Sequence, residues 1–203
     1  MSPTGKSHRL TLVAVPPRAL WGPIQAVRRR HDRQFRRWPP HVNLLYPFHD
    51  EAGLAPCLAR LHAALARVAP FVARLGPVGV FRHRRGRRTV WLAPAPGAAW
   101  QALHAAARSA CPALDDLDRF PGGFTPHLSV GQADARSEAG LRAEAAALEG
   151  LGWWLDRVAV WVRGAPPDDR FRLRALIPLG GVPPRATAPG SAPPAGAVPG
   201  RGG

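Results

Sequence analysis

Residues 40–48 read Pro40-His41-Val42-Asn43-Leu44-Leu45-Tyr46-Pro47-Phe48, a His-apolar-small polar-apolar pattern inside a short strand-forming run. Successive side chains of a strand point to opposite faces, so His41 and Asn43 share one face while Val42 and Leu44 take the other. The pattern returns in Phe124-Thr125-Pro126-His127-Leu128-Ser129-Val130-Gly131. There His127 and Ser129 share a face, with Leu128 and Val130 behind them. The apolar residues can anchor each strand in a core, which leaves each imidazole looking out beside its polar neighbour. Two such strands side by side would set two imidazoles and two hydrogen-bonding groups around one small cleft. That composition suits acid/base chemistry on a phosphate, because imidazole titrates near neutrality and can both take and give a proton.

The rest of the chain supplies strands and helices around these two runs. Arg9 to Val15 alternates as a strand and is stopped by Pro16-Pro17. Leu20, Ile24 and Val27 then recur at helical spacing and run into Arg28-Arg29-Arg30-His31, basic residues that complement a helix C-terminus. Residues 51 to 69 carry Leu54, Leu58, Leu61, Leu65 and Val68 in alternating steps of four and three, the clearest helix of the chain. Three strands are expected next, over 71–75, 78–82 and 89–94. The last two flank His83-Arg84-Arg85-Gly86-Arg87-Arg88, which reads as a hairpin turn. Arg85 in that loop is a candidate grip on a nucleic-acid backbone, set against the plain reading of a solvated turn. Trp100, Leu103 and Ala107 predict a helix ending near Cys111-Pro112. Residues 136–151 predict another. Val158, Val160 and Val162 alternate as a strand, as do Phe171, Leu173, Ala175, Ile177 and Leu179.

Strands that cluster as hairpins favour an α+β domain over a doubly wound one. The domain spans residues 9–179, after a flexible lead-in at 1–8. Residues 180–203 are Pro, Gly and Ala with almost nothing large to bury, and read as a disordered tail.

Composition narrows the partners. The net charge of +15 invites a polyanion. Yet Lys6 is the single lysine, and Arg accompanies abundant Ala, Gly and Pro. A GC-rich coding bias with solvated arginines explains the charge as well as a selected basic surface does. Cys57 and Cys111 form no Cys-x-x-Cys and no zinc quartet, so they read as buried thiols in a reducing compartment. Asp115, Asp116 and Asp118 read as a solvated loop rather than a metal site, and no cofactor or metal is expected. No run approaches the roughly 18 apolar residues of a membrane span. The expectation is a soluble, cytoplasmic protein, with a monomer favoured.

At the two histidine motifs the sequence resembles the two-histidine (2H) phosphoesterase superfamily, in particular its 2'-5' RNA ligase-like and cyclic phosphodiesterase-like branch. The resemblance covers about residues 8 to 179. It implies two pseudo-symmetric lobes of antiparallel-rich sheet, with helices outside and a central cleft. It also implies a metal-independent hydrolase, a phosphodiesterase or 2'-5' RNA ligase acting on RNA or nucleotide 2',3'-cyclic phosphates or 2'-5' bonds. His41 and His127 would be the acid and the base, in an order the sequence leaves open. Asn43 and Ser129 would donate to phosphate oxygens. Asn43 departs from the family's His-x-Thr-x pattern, although an amide can still donate. Tyr46, Trp38 and Phe81 are candidates to stack on a base, beside the ordinary reading of core aromatics. A catalytically weak or inactive nucleotide- or RNA-binding module is the alternative, and Asn43 is the residue that favours it.

Overall fold

The computed structural model describes residues 5–116 and 122–180. The expected tail past Gly180 and Asp118 of the acidic cluster lie outside them. In chain order the elements are β1 (Lys6–Ser7), β2 (Leu10–Ala14), α1 (Trp21–His31), β3 (Val42–Leu45), β4 (Phe48–His49), α2 (Glu51–Leu65), β5 (Phe71–Arg82) and β6 (Arg88–Ala95). They continue as α3 (Gly97–Ala110), β7 (Leu128–Ala133), α4 (Glu138–Ala146), β8 (Gly152–Leu155), β9 (Arg157–Arg163) and β10 (Phe171–Pro178).

Eight of these strands make one antiparallel sheet in the order β10-β9-β2-β3-β7-β6-β5-β8. It divides into two halves of four strands. The two motif strands, β3 and β7, are their inner edges and meet through the pair Val42 and Leu128. Val42 and Leu128 are fully buried, as are Leu12, Val90 and Leu92 on neighbouring strands. Each half lends a helix to the other: α1 packs on β7, and α3 packs on β3 and β6. The α1 packing depends on Gly131, because a Cβ there would come within 2.5 Å of the His31 Cβ. Helices α2 and α3 pack together over Leu54, Leu61, Leu65, Trp100, Leu103 and Ala107, all buried.

The architecture is the expected α+β one, with differences that have local causes. Residues 71–75 and 78–82 are one strand, β5, not two. Gly76-Pro77 is absorbed as an irregularity between Leu75 and Val78, after which pairing to β6 resumes. Helix α2 opens on Asp50, whose Oδ1 accepts from the Gly53 N–H at 3.0 Å. It ends at Leu65 rather than residue 69, ahead of Pro70, which disfavours helical backbone before it. Helix α4 is shorter than residues 136–151, and Gly-Trp-Trp-Leu after it pairs with β5 as β8. The strict alternation of 171–179 breaks at a register shift between Leu173 and Ala175, which leaves Leu173 56% exposed. Within the expected lead-in, Lys6 and Ser7 pair with His49 and Phe48. Lys6 Nζ also holds Asp115 Oδ1 at 2.5 Å and Asp116 Oδ2 at 2.9 Å, so part of the acidic cluster is an anchor for the N-terminus.

The cysteines correct the sequence reading. Cys57 on α2 and Cys111 at the end of α3 are fully buried and joined by a disulfide. Cys57 lies in a helix, as expected, and Cys111 directly follows one, but packing α2 on α3 brings them together. Disulfides persist in oxidising environments, so the cysteines no longer argue for a reducing compartment. The donor atoms of His49, Cys57 and Cys111 lie within 4.8 Å of one another, yet sulfurs bonded to each other are not thiolate ligands. The bridge closes a loop of 54 residues. Loop-closure entropy then assigns it about 4 kcal/mol. Cys57→Ser/Cys111→Ser is expected to lose about 2–4 kcal/mol in urea unfolding, with turnover in the folded protein retained. None of the described helices is long and apolar enough to cross a membrane.

Candidate active site

Antiparallel pairing of Val42 with Leu128 sets His41 across from Ser129 and Asn43 across from His127. The two motifs therefore meet about a local two-fold, and their polar faces line one cleft of about 440 Å³. Each histidine stands one residue ahead of its strand. Each is tethered the same way. His41 Nδ1 lies 2.7 Å from the Pro39 carbonyl, and His127 Nδ1 lies 2.8 Å from the Thr125 carbonyl. A carbonyl can only accept, so both Nδ1 atoms carry the proton and both Nε2 atoms are left for the cleft.

Asn43 stands between the first imidazole and β2. Its Nδ2 is 3.2 Å from His41 Nε2, and its Oδ1 is 2.9 Å from the hydroxyl of Thr11, a fully buried residue on a central strand. With Thr11 donating to Oδ1, the amide N–H points at the Nε2 lone pair. The aromatic residues fix both rings. Trp38 stacks on His41 with centroids 4.4 Å apart and on Phe171 at 3.6 Å. Phe81 meets His127 edge-on at 4.9 Å, and Trp91 does so at 6.0 Å. Trp91 lies flat across β5 at Gly79, where any Cβ would collide with the indole.

These surroundings disfavour the charged imidazole. His41 is pushed down to about 4, first by burial and then by the positive fields of Arg28 and His127, against the pull of the Pro39 carbonyl. Burial also lowers His127 below its ordinary value, against the Thr125 carbonyl. Burial raises Tyr46 above the ordinary phenol.

Of the sequence candidates, His41, Asn43, His127, Ser129, Trp38, Tyr46 and Phe81 all line the cleft. Tyr46 is also steered by the His8 carbonyl, which accepts from its hydroxyl at 3.3 Å. Arg85 is not among the lining residues. It is exposed in the turn between β5 and β6, with a positive φ of 61°. An apolar arm of about 490 Å³ continues from Asn43 and His127 past Leu44, Phe81 and Phe124.

The sequence reading missed a support beneath the cleft. Arg28 belongs to the basic run read as solvated helix-dipole compensation, yet its side chain is 2% exposed. Its Nη2 donates to Asp32 Oδ2 at 2.7 Å and to the Trp38 carbonyl at 2.8 Å, and its Nη1 donates to Gln25 Oε1 at 2.8 Å. Asp32 in turn accepts from the Gln34 N–H and from Gln132 Nε2. This network holds the segment that carries Trp38, Pro39 and His41. The pairing Arg28 with Asp32 at i,i+4 was visible in the sequence, but its burial was not.

The family model described as the 2'-5' RNA ligase superfamily matches residues 16–167. No curated protein matches the chain. Among solved structures, TT0787 of Thermus thermophilus superposes with a TM-score of 0.60 at 21% identity, over 85% of this chain and 98% of that one. E. coli LigT in apo form gives 0.58 at 18% identity, over 87% and 99%. Its complex with 3'-AMP gives 0.56 at 17% identity, over 86% and 98%. At these identities the likeness is one of fold. The family match opens before α1, closes between β9 and β10 and encloses both histidine motifs: the chain belongs to the 2'-5' RNA ligase superfamily, among the two-histidine phosphoesterases.

Proposed function

We propose that the protein is a phosphodiesterase that opens 2',3'-cyclic phosphates of RNA or nucleotides by two-histidine acid/base catalysis. The observation that carries this reading is the pair of imidazoles on one local two-fold, each tethered through Nδ1 and each presenting Nε2 to the same cleft. The complex of E. coli LigT with 3'-AMP supports a nucleotide as the ligand class.

His41 is the base. Burial and the positive charge of Arg28 keep it neutral, and the Asn43 amide turns from its Nε2 to the phosphate when substrate enters. His127, lowered by burial with no cation such as Arg28 acting on it, is the acid. In hydrolysis His41 takes a proton from water as the oxygen bonds to phosphorus. His127 gives its Nε2 proton to the departing ribose oxygen as that P–O bond breaks. Ser129 and Asn43 donate to the non-bridging oxygens, where charge grows in the transition state. The same site run backwards joins ends, so ligation and hydrolysis share these groups. Two imidazoles supply both proton transfers, so the step needs no metal ion.

The pH dependence follows in sign. The base works only when neutral, so kcat/KM rises as pH climbs through about 4. The acid works only when protonated, so kcat/KM falls again through a His127 value lying below that of a free imidazole. The bell therefore sits on the acid side of neutrality. The test is turnover of an oligoribonucleotide ending in a 2',3'-cyclic phosphate, in EDTA, across the acid-to-neutral range and beyond it. A bell centred on the alkaline side of neutrality would reverse or remove the assignment. Binding without product at any pH would favour the non-catalytic module, in which the Asn43 contact keeps His41 Nε2 occupied.

A further inference from the structure

The active-site cleft has a second arm. Beyond the imidazoles it runs into a groove of about 360 Å³ lined by Arg33, His83, Arg87, Arg88, Thr89 and Gln132. Gln34, His83, Thr89 and Gln132 line the cleft and this groove alike, so the two adjoin. The arm past Leu44 and Phe124 is apolar, while this one is polar and basic.

Its charges are placed and unspent. Three of the arginines lining the cleft and the groove have carboxylate partners: Arg28 with Asp32, Arg37 with Asp169, and Arg88 with Glu138 at 2.8 Å. Arg33 and Arg87 have no acidic partner among the described residues. Both are nonetheless held by their backbones. The Arg33 N–H donates to Gln132 Oε1 at 2.9 Å, and the Arg87 carbonyl accepts from the His83 N–H at 2.8 Å. His83 Nε2 is 2.9 Å from Thr89 Oγ1, which closes the same turn from the side-chain face. Arg88 adds a buried Nη1 that has no hydrogen-bond partner among the described residues. Exposed guanidiniums with open donors on a held backbone, next to the reactive centre, are what a second phosphate requires.

We propose that this groove binds the phosphate of the nucleotide that precedes the reacting one, so that the preferred substrate is an RNA strand end rather than a mononucleotide. Arg33 and Arg87 supply the cations. Gln132 and the Thr89 hydroxyl flank them. The terminal base lies in the apolar arm, the reactive phosphate lies between the histidines, and the backbone leaves along the basic arm. A single-nucleotide substrate fills only the first two places. This deepens the phosphodiesterase reading and rests on it.

The experiment compares kcat/KM for a tetraribonucleotide ending in a 2',3'-cyclic phosphate with that for the mononucleoside 2',3'-cyclic phosphate. It is run on the wild type, on Arg33→Gln/Arg87→Gln and on the control Arg67→Gln/Arg174→Gln, across a salt series. The wild type and the control are expected to prefer the tetranucleotide. In Arg33→Gln/Arg87→Gln the preference ratio falls by about tenfold or more. The log–log salt slope for the tetranucleotide becomes shallower by about 0.7 for each phosphate that is no longer neutralised. An unchanged ratio overturns the subsite, and so does an equal fall on both substrates. Binding of a tetranucleotide ending in a 3'-phosphate is measured in parallel. Wild-type binding that weakens in the double variant, with no turnover of either cyclic substrate, leaves the subsite standing and removes the phosphodiesterase reading instead.

Discussion

His41→Ala and His127→Ala are each expected to lower turnover of a 2',3'-cyclic-phosphate oligonucleotide by about 10²–10⁴-fold, the usual worth of one positioned proton-transfer group. The double variant should fall little below the weaker single one, because an acid and a base that act in one step are not additive. The fold should survive. Both rings stand ahead of their strands, and the residues that bury the sheet junction are Val42 and Leu128, not the histidines. A thermal midpoint within a few degrees of wild type, measured beside kcat/KM in EDTA, separates lost chemistry from lost structure. His41→Ala also removes the ring stacked under Trp38, so some loss of stability is expected there and less at His127. Full activity in either variant would remove that imidazole from the mechanism.

Arg28→Ala acts on the same site from below and should cost the most stability. It leaves Asp32, whose side chain is 4% exposed, as a buried carboxylate without its counter-ion. Breaking such a pair from one side costs about 3–5 kcal/mol. Urea unfolding should show the midpoint falling with little change in slope. A second readout is specific to the site. Arg28 is one of the positive groups that hold His41 low, and it donates to the carbonyl of Trp38 in the segment that leads into His41. In the folded fraction, the acid limb of kcat/KM should move to higher pH. A destabilised protein with the wild-type limb would make Arg28 a structural residue only. The buried pair therefore joins packing to the base's protonation in one group.

Much of this was legible in the chain. Alternation around His41 and His127 placed both motifs on strand faces with apolar anchors behind, and the structure brings those strands together. The helices at 51–65 and 97–110 announced themselves by leucine and alanine spacing. The limits of legibility are equally specific. Leu173 carries the same alternating signal as the buried Phe171 and Ile177, yet it is exposed, because the register of β10 shifts between Leu173 and Ala175. Arg28 and Arg29 look alike in sequence. One is buried under the cleft and the other lies over Phe35 at the surface, because α1 turns one side toward β7.

Local sequence determined the two His-x-polar faces, the helices and the apolar strands, since each depends on a side-chain period of about two or 3.6 residues. Tertiary structure alone decided which residues meet across distance. It set Val42 against Leu128 and so put His41 beside Ser129. It joined Cys57 to Cys111, and it left Arg85 outside the cleft while carrying Arg33 and Arg87 to its basic arm. Those outcomes depend on sheet register and on helix-to-sheet packing, which link residues tens of positions apart and leave no period in the chain.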